Sequence, residues 1–309
     1  MGCFSGQTAG AELLRALDHE ALERCVTLLT DVYGEHMTSS ELTRSVLGRQ
    51  IPLLRLGSGD KCVLYVGAHH GMEWLTSSIL LYFLDDLCDS AREGRNVFGL
   101  SVEYILKMRT LLFVPMLNPD GVELVQKGAD ASGILSERQI RMNEGSRDFS
   151  HWQANARGVD LNHNYRYGFS AYKQMEREMH IEGGARSRFS GESPESEPES
   201  GALASLVRTV LPHSIYTLHT QGEEIYCGGE GANESVLSIG RALAGLSGYK
   251  LSSPEGAAAY GGLTDYAVCE LGIPSFTIEC GRGENPLPPS SFLLIYAAIR
   301  RMLFYSTLL

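Results

Sequence analysis

Long apolar runs are missing from this chain. No stretch of roughly 18 uncharged apolar residues occurs, so no membrane span is expected. The nearest approach, residues 292–309, is interrupted by Arg300 and Arg301 and predicts an amphipathic helix docked on the protein body. Positive charge is also scarce. Against 37 Asp and Glu stand 26 Lys and Arg, a net charge of −11, and that balance argues against the clustered basic footprint that nucleic-acid binding requires. Paired cysteine spacings are absent. The seven cysteines are odd in number and several sit inside apolar runs, which is the pattern of reduced core thiols. No basic segment followed by an apolar one opens the chain. Met1-Gly2-Cys3 also fails as an acylation signal, because position 6 is Gly where Ser or Thr is needed. The expectation is a cytoplasmic protein with no membrane partner, and no protein partner is implied.

What is present is an ordinary globular composition, 43% hydrophobic and 20% charged, long enough to bury a sizeable core. One domain over residues 1–309 is expected, with a helical lead-in over residues 1–36. Apolar spacing predicts a helix over 11–33, then two short strands, 41–47 and 51–56, flanking Gly48. Pro52 predicts that the second strand lies at a sheet edge. Residues 62–68 and 109–115 read as buried strands. Asn118-Pro119-Asp120-Gly121 reads as a tight turn with only indirect contact to the active site. Ser196 and Glu199 have capping-box spacing ahead of a helix. Strands follow at 214–218 and 275–278, with helices at 233–246 and 266–271. Strands alternating with helices predict an α/β fold with a largely parallel sheet, mixed at the hairpin edge.

The stretch that carries chemistry is His70-Gly71-Met72-Glu73-Trp74, at the corner between the 62–68 strand and a Leu- and Ile-rich helix beginning at Leu75. An imidazole and a carboxylate three residues apart at such a corner can turn toward one point at the carboxyl edge of the sheet, where open α/β sheets place their ligands. On its own, His-x-x-Glu is a weak signal. A third ligand and a base must come from elsewhere.

Three further stretches stand in order behind it: Gly158-Val159-Asp160-Leu161-Asn162, His219 at a strand end, and Phe276-Thr277-Ile278-Glu279. Together they resemble the zinc carboxypeptidase family over roughly residues 40 to 300. Within it, the chain is most similar to the γ-D-glutamyl-meso-diaminopimelate peptidases. That likeness rests on Asp148-Phe149-Ser150-x-Trp152, Ser196-Glu197-Pro198-Glu199, the His219-to-Tyr226 segment and the Glu279-to-Pro288 segment. The resemblance implies a central mixed, mostly parallel sheet of about eight strands with helices on both faces.

It also implies roles. His70, Glu73 and His219 would hold one Zn2+ per chain, leaving a position open. Glu279 would be the general base and acid. Asp160 would accept a hydrogen bond from a ligand histidine, His70. His69 is expected to be structural. Asn162-His163 stands where members that remove C-terminal residues carry Asn-Arg, and an imidazole cannot grip a carboxylate bidentately at every pH. The family's transition-state arginine falls opposite Gln153, so Arg157 is the expected substitute, with Arg147 and Gln153 as alternatives. Tyr260 lies near the place of the family's mobile tyrosine, and Thr264 takes the position that sets side-chain preference. Glu223 or Glu224 is expected to meet a substrate ammonium. The expected activity is hydrolysis of the γ-D-glutamyl-meso-diaminopimelate amide in peptidoglycan-derived peptides. The alternative is release of C-terminal residues from ordinary peptides.

Overall fold

The computed structural model describes residues 15–229 and 231–309. Met1-Gly2-Cys3 and the start of the helix expected over 11–33 lie outside them. The first described helix is α1 (His19–Tyr33), capped by Asp18, whose side chain accepts from the Ala21 amide. Strands β1 (Met37–Arg44), β2 (Gln50–Leu56) and β3 (Lys61–Val66) follow, then helix α2 (Leu75–Arg92). A two-stranded ribbon, β4 (Asn96–Val97) with β5 (Leu100–Ser101), leads to α3 (Val102–Met108) and β6 (Arg109–Val114). Helices α4 (Pro119–Lys127), α5 (Ser136–Met142), α6 (Phe169–Glu178) and α7 (Pro198–Val210) precede β7 (Ser214–His219) and β8 (Glu224–Tyr226). The chain ends with α8 (Glu234–Ser247), β9 (Lys250–Ser252), a helical segment at 263–270, β10 (Ser275–Glu279) and α9 (Phe292–Ser306).

Eight of these strands form one mixed sheet in the order β1-β2-β6-β3-β7-β10-β8-β9. The central run β6-β3-β7-β10 is parallel, as is β8-β9, while β1-β2, β2-β6 and β10-β8 are antiparallel. The pleat sorts the side chains of each strand between two faces. Val63 and Tyr65 of β3 join Leu111 and Phe113 of β6 on the face covered by α2, α8 and α9. Leu64 and Val66, with Leu112 and Val114, face α7 and the 263–270 segment. Both faces are therefore buried, which is why these strands read as unbroken apolar runs.

Three local readings need correction. Strand β2 is not an edge: it lies between β1 and β6. Pro52 is tolerated because it sits opposite Glu41 at a bulge in β1, and β2 pairs with β6 only from Leu54 to Leu56. Asn118-Pro119-Asp120-Gly121 is a helix start, not a free turn. The Asn118 side chain accepts from the Gly121 amide and Pro119 occupies the first turn, the arrangement expected of an Asn cap followed by Pro. The capping box at Ser196 does not form. Glu197 is the cap residue of α7 without a side-chain cap bond, and Glu199 turns away to accept from the Val46 amide.

Candidate metal centre and active site

The corner after β3 is built by backbone contacts on both sides. The Gly67 amide donates to Val114 O of the neighbouring strand, and the Ala68 amide donates to Thr76 Oγ1 at 2.8 Å. At Gly71, an added Cβ would lie 2.5 Å from the Gly121 backbone. Glycine there lets α4 press directly against the ligand-bearing turn. Asn118 extends the same contact, since its Nδ2 faces His69 O, Gln153 O and Ala154 O, each at 3.1 Å. The approach of this helix to the site is direct, where the sequence suggested an indirect one.

His70 leaves β3, Glu73 closes the 3-10 turn Gly71–Glu73, and His219 ends β7, the strand beside β3. The three offer ligand atoms that all lie within 4.8 Å of one another. His70 Nδ1 is 2.9 Å from Glu73 Oε1, and His219 Nδ1 is 2.9 Å from Glu73 Oε2. The second contact lacks hydrogen-bond alignment, and the buried Glu73 Oε2 and His219 Nε2 have no hydrogen-bond partner. Burial alone would raise the Glu73 pKa, but the His70 and His219 charges bring it down to about 2. Burial likewise opposes charge on His70, yet Glu73 and Asp160 together hold its pKa well above the usual imidazole range. Two imidazoles and a carboxylate converging in a place that favours positive charge make a donor set that fits Zn2+.

Asp160 supports the centre from behind. Its Oδ1 lies 3.2 Å from His70 Nε2 and also accepts from the Asn162 amide, while Oδ2 accepts from the Arg188 amide at 3.0 Å. Burial works against this charge, but His70 outweighs it and holds the carboxyl well below the usual range. With Nε2 facing a carboxylate, Nδ1 is the nitrogen left for a metal. His69 is fully buried, with Nε2 3.0 Å from Tyr165 Oη and its ring stacked on His219 at 5.3 Å.

Glu279 ends β10 in register with His219 of β7. Its carboxyl group and the ligand histidines line one cavity of about 530 Å³. Burial, then the Glu73 carboxylate, push its pKa up to about 8. Asn162, His163, Glu224 and Thr264 line the same cavity. Thr264 is turned to Thr277, with the two hydroxyls 2.8 Å apart. Other expected residues lie elsewhere. Arg157 and Gln153 are not in this wall, and the Arg157 guanidinium sits 3.5 Å from Glu197 Oε2. Glu223 pairs with Arg282 at 2.6 Å, and Arg166 faces Glu195. Tyr260 lines a neighbouring depression. Tyr226, Lys250 and Asp265 also line the cavity, and of these Lys250 and Asp265 were not singled out from sequence. Asp265 alone left a trace there, as the one charged residue in the run 256–269. Its burial raises its pKa to about 7.

At its carboxyl edge this sheet carries a two-histidine, one-glutamate cluster and a further carboxylate, the arrangement of a zinc-peptidase type of site. The zinc carboxypeptidase family model matches residues 22–301, and the chain belongs to that family. It is 35% identical over 262 residues to gamma-D-glutamyl-L-diamino acid endopeptidase 1 of Lysinibacillus sphaericus, covering 84% of this chain and 64% of the relative. It is 34% identical over 291 residues to the uncharacterized protein YqgT of Bacillus subtilis, covering 93% and 76%. The chain thus spans under two thirds of the first relative's length. Among solved structures, thrombin activatable fibrinolysis inhibitor shares the fold at a TM-score of 0.73 and 18% identity, covering 97% of this chain and 76% of that one. Murein-tripeptide amidase MpaA from Escherichia coli O157 aligns at 0.50 and 20%, covering 85% and 91%.

Proposed function

We propose that this protein hydrolyses the γ-D-glutamyl amide of a diaminopimelate-containing, peptidoglycan-derived peptide, with one zinc ion per chain held by His70, Glu73 and His219. A zinc ion there supplies a Lewis acid and an activated water. The Glu279 carboxylate takes the proton of the attacking water and returns it to the leaving nitrogen. Asp160 fixes the His70 ring, and Asn162 positions substrate through the amide that its carbonyl contact to the Leu263 amide leaves free. The developing oxyanion has no arginine beside it in the cavity wall as described. Arg157 would have to leave Glu197 to reach it.

The observation that carries the substrate reading is His163 in place of the guanidinium that grips a simple C-terminal carboxylate. The 35% identical relative, named for a γ-D-glutamyl-L-diamino acid bond, supports it. A mass-spectrometric digest tests it. L-Ala-γ-D-Glu-meso-diaminopimelate should yield L-Ala-D-Glu and free diaminopimelate, while blocked dipeptides ending in phenylalanine stay intact. Faster release of phenylalanine would instead establish an ordinary carboxypeptidase.

A further inference from the structure

Helix α6 carries a buried carboxylate that the proposed chemistry does not use. Glu176 is only 3% exposed. Its Oε2 accepts from the Ser190 amide at 2.7 Å and from Ser190 Oγ at 2.6 Å, and its Oε1 meets Lys173 Nζ at 2.6 Å. The Lys173 ammonium in turn lies over the Phe189 ring, 4.5 Å from its centroid. A buried charge is costly unless it is paired and hydrogen-bonded, and here every one of those bonds fastens residues 189–190 to α6. Asn164 Nδ2 holds the same segment from the other side, donating to Ser190 O at 2.7 Å.

The fastened segment is the one that holds Asp160. The Asp160 amide donates to Phe189 O at 2.7 Å, and the Arg188 amide donates to Asp160 Oδ2 at 3.0 Å. Among the described residues, Arg188 is the one donor to that oxygen. Arg188 itself lies in the left-handed region, at φ +65°, where a residue with a side chain stays only if its surroundings hold it. They hold it at both peptides. Its amide is taken by Asp160, and its carbonyl accepts from Tyr172 Oη of α6 at 3.0 Å. If residue 190 were released, the Arg188 turn could relax and Asp160 Oδ2 would lose its donor. The carboxylate could then rotate away from His70 Nε2, which faces its Oδ1 at 3.2 Å.

We propose that Glu176 is a positioning residue for the metal centre, fixing the 188–190 segment through Ser190, Asp160 through that segment, and the His70 ring through Asp160. This rests on the proposed function for the zinc at His70. Zinc dissociation constants, measured by chelator competition on the full chain, carry the test. Glu176→Ala should bind zinc about 10-fold more weakly than wild type, the lower end of the range for outer partners of metal ligands. Asp160→Ala should lose about 10- to 100-fold. Adding Glu176→Ala to Asp160→Ala should change the constant by less than about twofold, because the route is already cut. Glu176→Gln, which keeps an acceptor for the Ser190 amide, should bind zinc to within about threefold of wild type. Thermal melts of the zinc-free proteins separate the fold from the site. A lowered melting temperature in Glu176→Ala with unchanged zinc affinity would make Glu176 structural and overturn the proposal, leaving the metal assignment standing. An undiminished effect in the Asp160→Ala background would overturn it too. If Glu176→Ala does not fold, Ser190→Ala removes one of the two donors and reads the same route. Zinc affinity weakened about threefold there, but not in the Asp160→Ala background, upholds the proposal, and unchanged affinity overturns it. Wild-type protein that binds no zinc would overturn the metal assignment, and this proposal with it.

Discussion

Glu199 is fully buried, and its neighbours include two more carboxylates. Its Oε1 accepts from the Val46 amide at 3.2 Å and its Oε2 from Asn155 Nδ2 at 3.3 Å, while Asn155 also donates to Glu197. Burial first, then the charges of Asp120 and Glu197, push its pKa up to about 8. The folded protein therefore keeps a proton that the unfolded chain releases near pH 4.5, so this residue's contribution to stability falls as pH rises from there to about 8. Glu199→Gln should remove that slope. Urea unfolding at pH 5, 6.5 and 8 should show the variant gaining on wild type as pH rises, by up to about 1.4 kcal/mol per unit. A difference independent of pH would mean the native carboxyl is already ionised. The sequence offers Ser196 and Glu199 at capping-box spacing, and that local pattern is overridden because the glutamate finds a tertiary partner 153 residues away. Separations of that kind leave no periodic signature.

At the scale of elements, α4 and the His70 corner form one unit. Asn118 caps the helix at Gly121 and gives its remaining amide to carbonyls on both sides of the site. Asn118→Ala removes a cap, typically about 1 kcal/mol, and strands buried carbonyls, at about 1–3 kcal/mol. The expected loss is about 2–4 kcal/mol in a urea titration, with weakened zinc retention because the corner loosens. A loss below about 1 kcal/mol would show that water replaces the side chain without cost. Residues 118–121 were legible as a turn because Asn, Pro, Asp and Gly are turn formers. They are equally an N-cap sequence, and only the packing against Gly71 distinguishes the two. Pro52 was misleading for a related reason, since a bulge and a short neighbouring strand relieve it of the ladder bond that would have excluded it from the interior.

For the whole molecule, the site exists because three parallel strands, β3, β7 and β10, end side by side. The buried strands and their alternation with helices were plain in the sequence, as were His70 and Glu73, which share a local corner. The pairing of His219 with Glu279 is fixed by the β7–β10 register, and the sequence reached it only through family likeness. Asp265 and Lys250 were missed because they meet the cavity through a helical segment and a short strand whose placement depends on the finished sheet.

The division of labour between ligand cluster and base is the centre of this account, and paired zinc and turnover measurements on two variants test it most directly. Glu279→Gln should retain about one zinc per chain while kcat falls by at least about 10²-fold, and His219→Ala should lose zinc and activity together. Full zinc occupancy in His219→Ala, or near-wild-type turnover in Glu279→Gln, would contradict it.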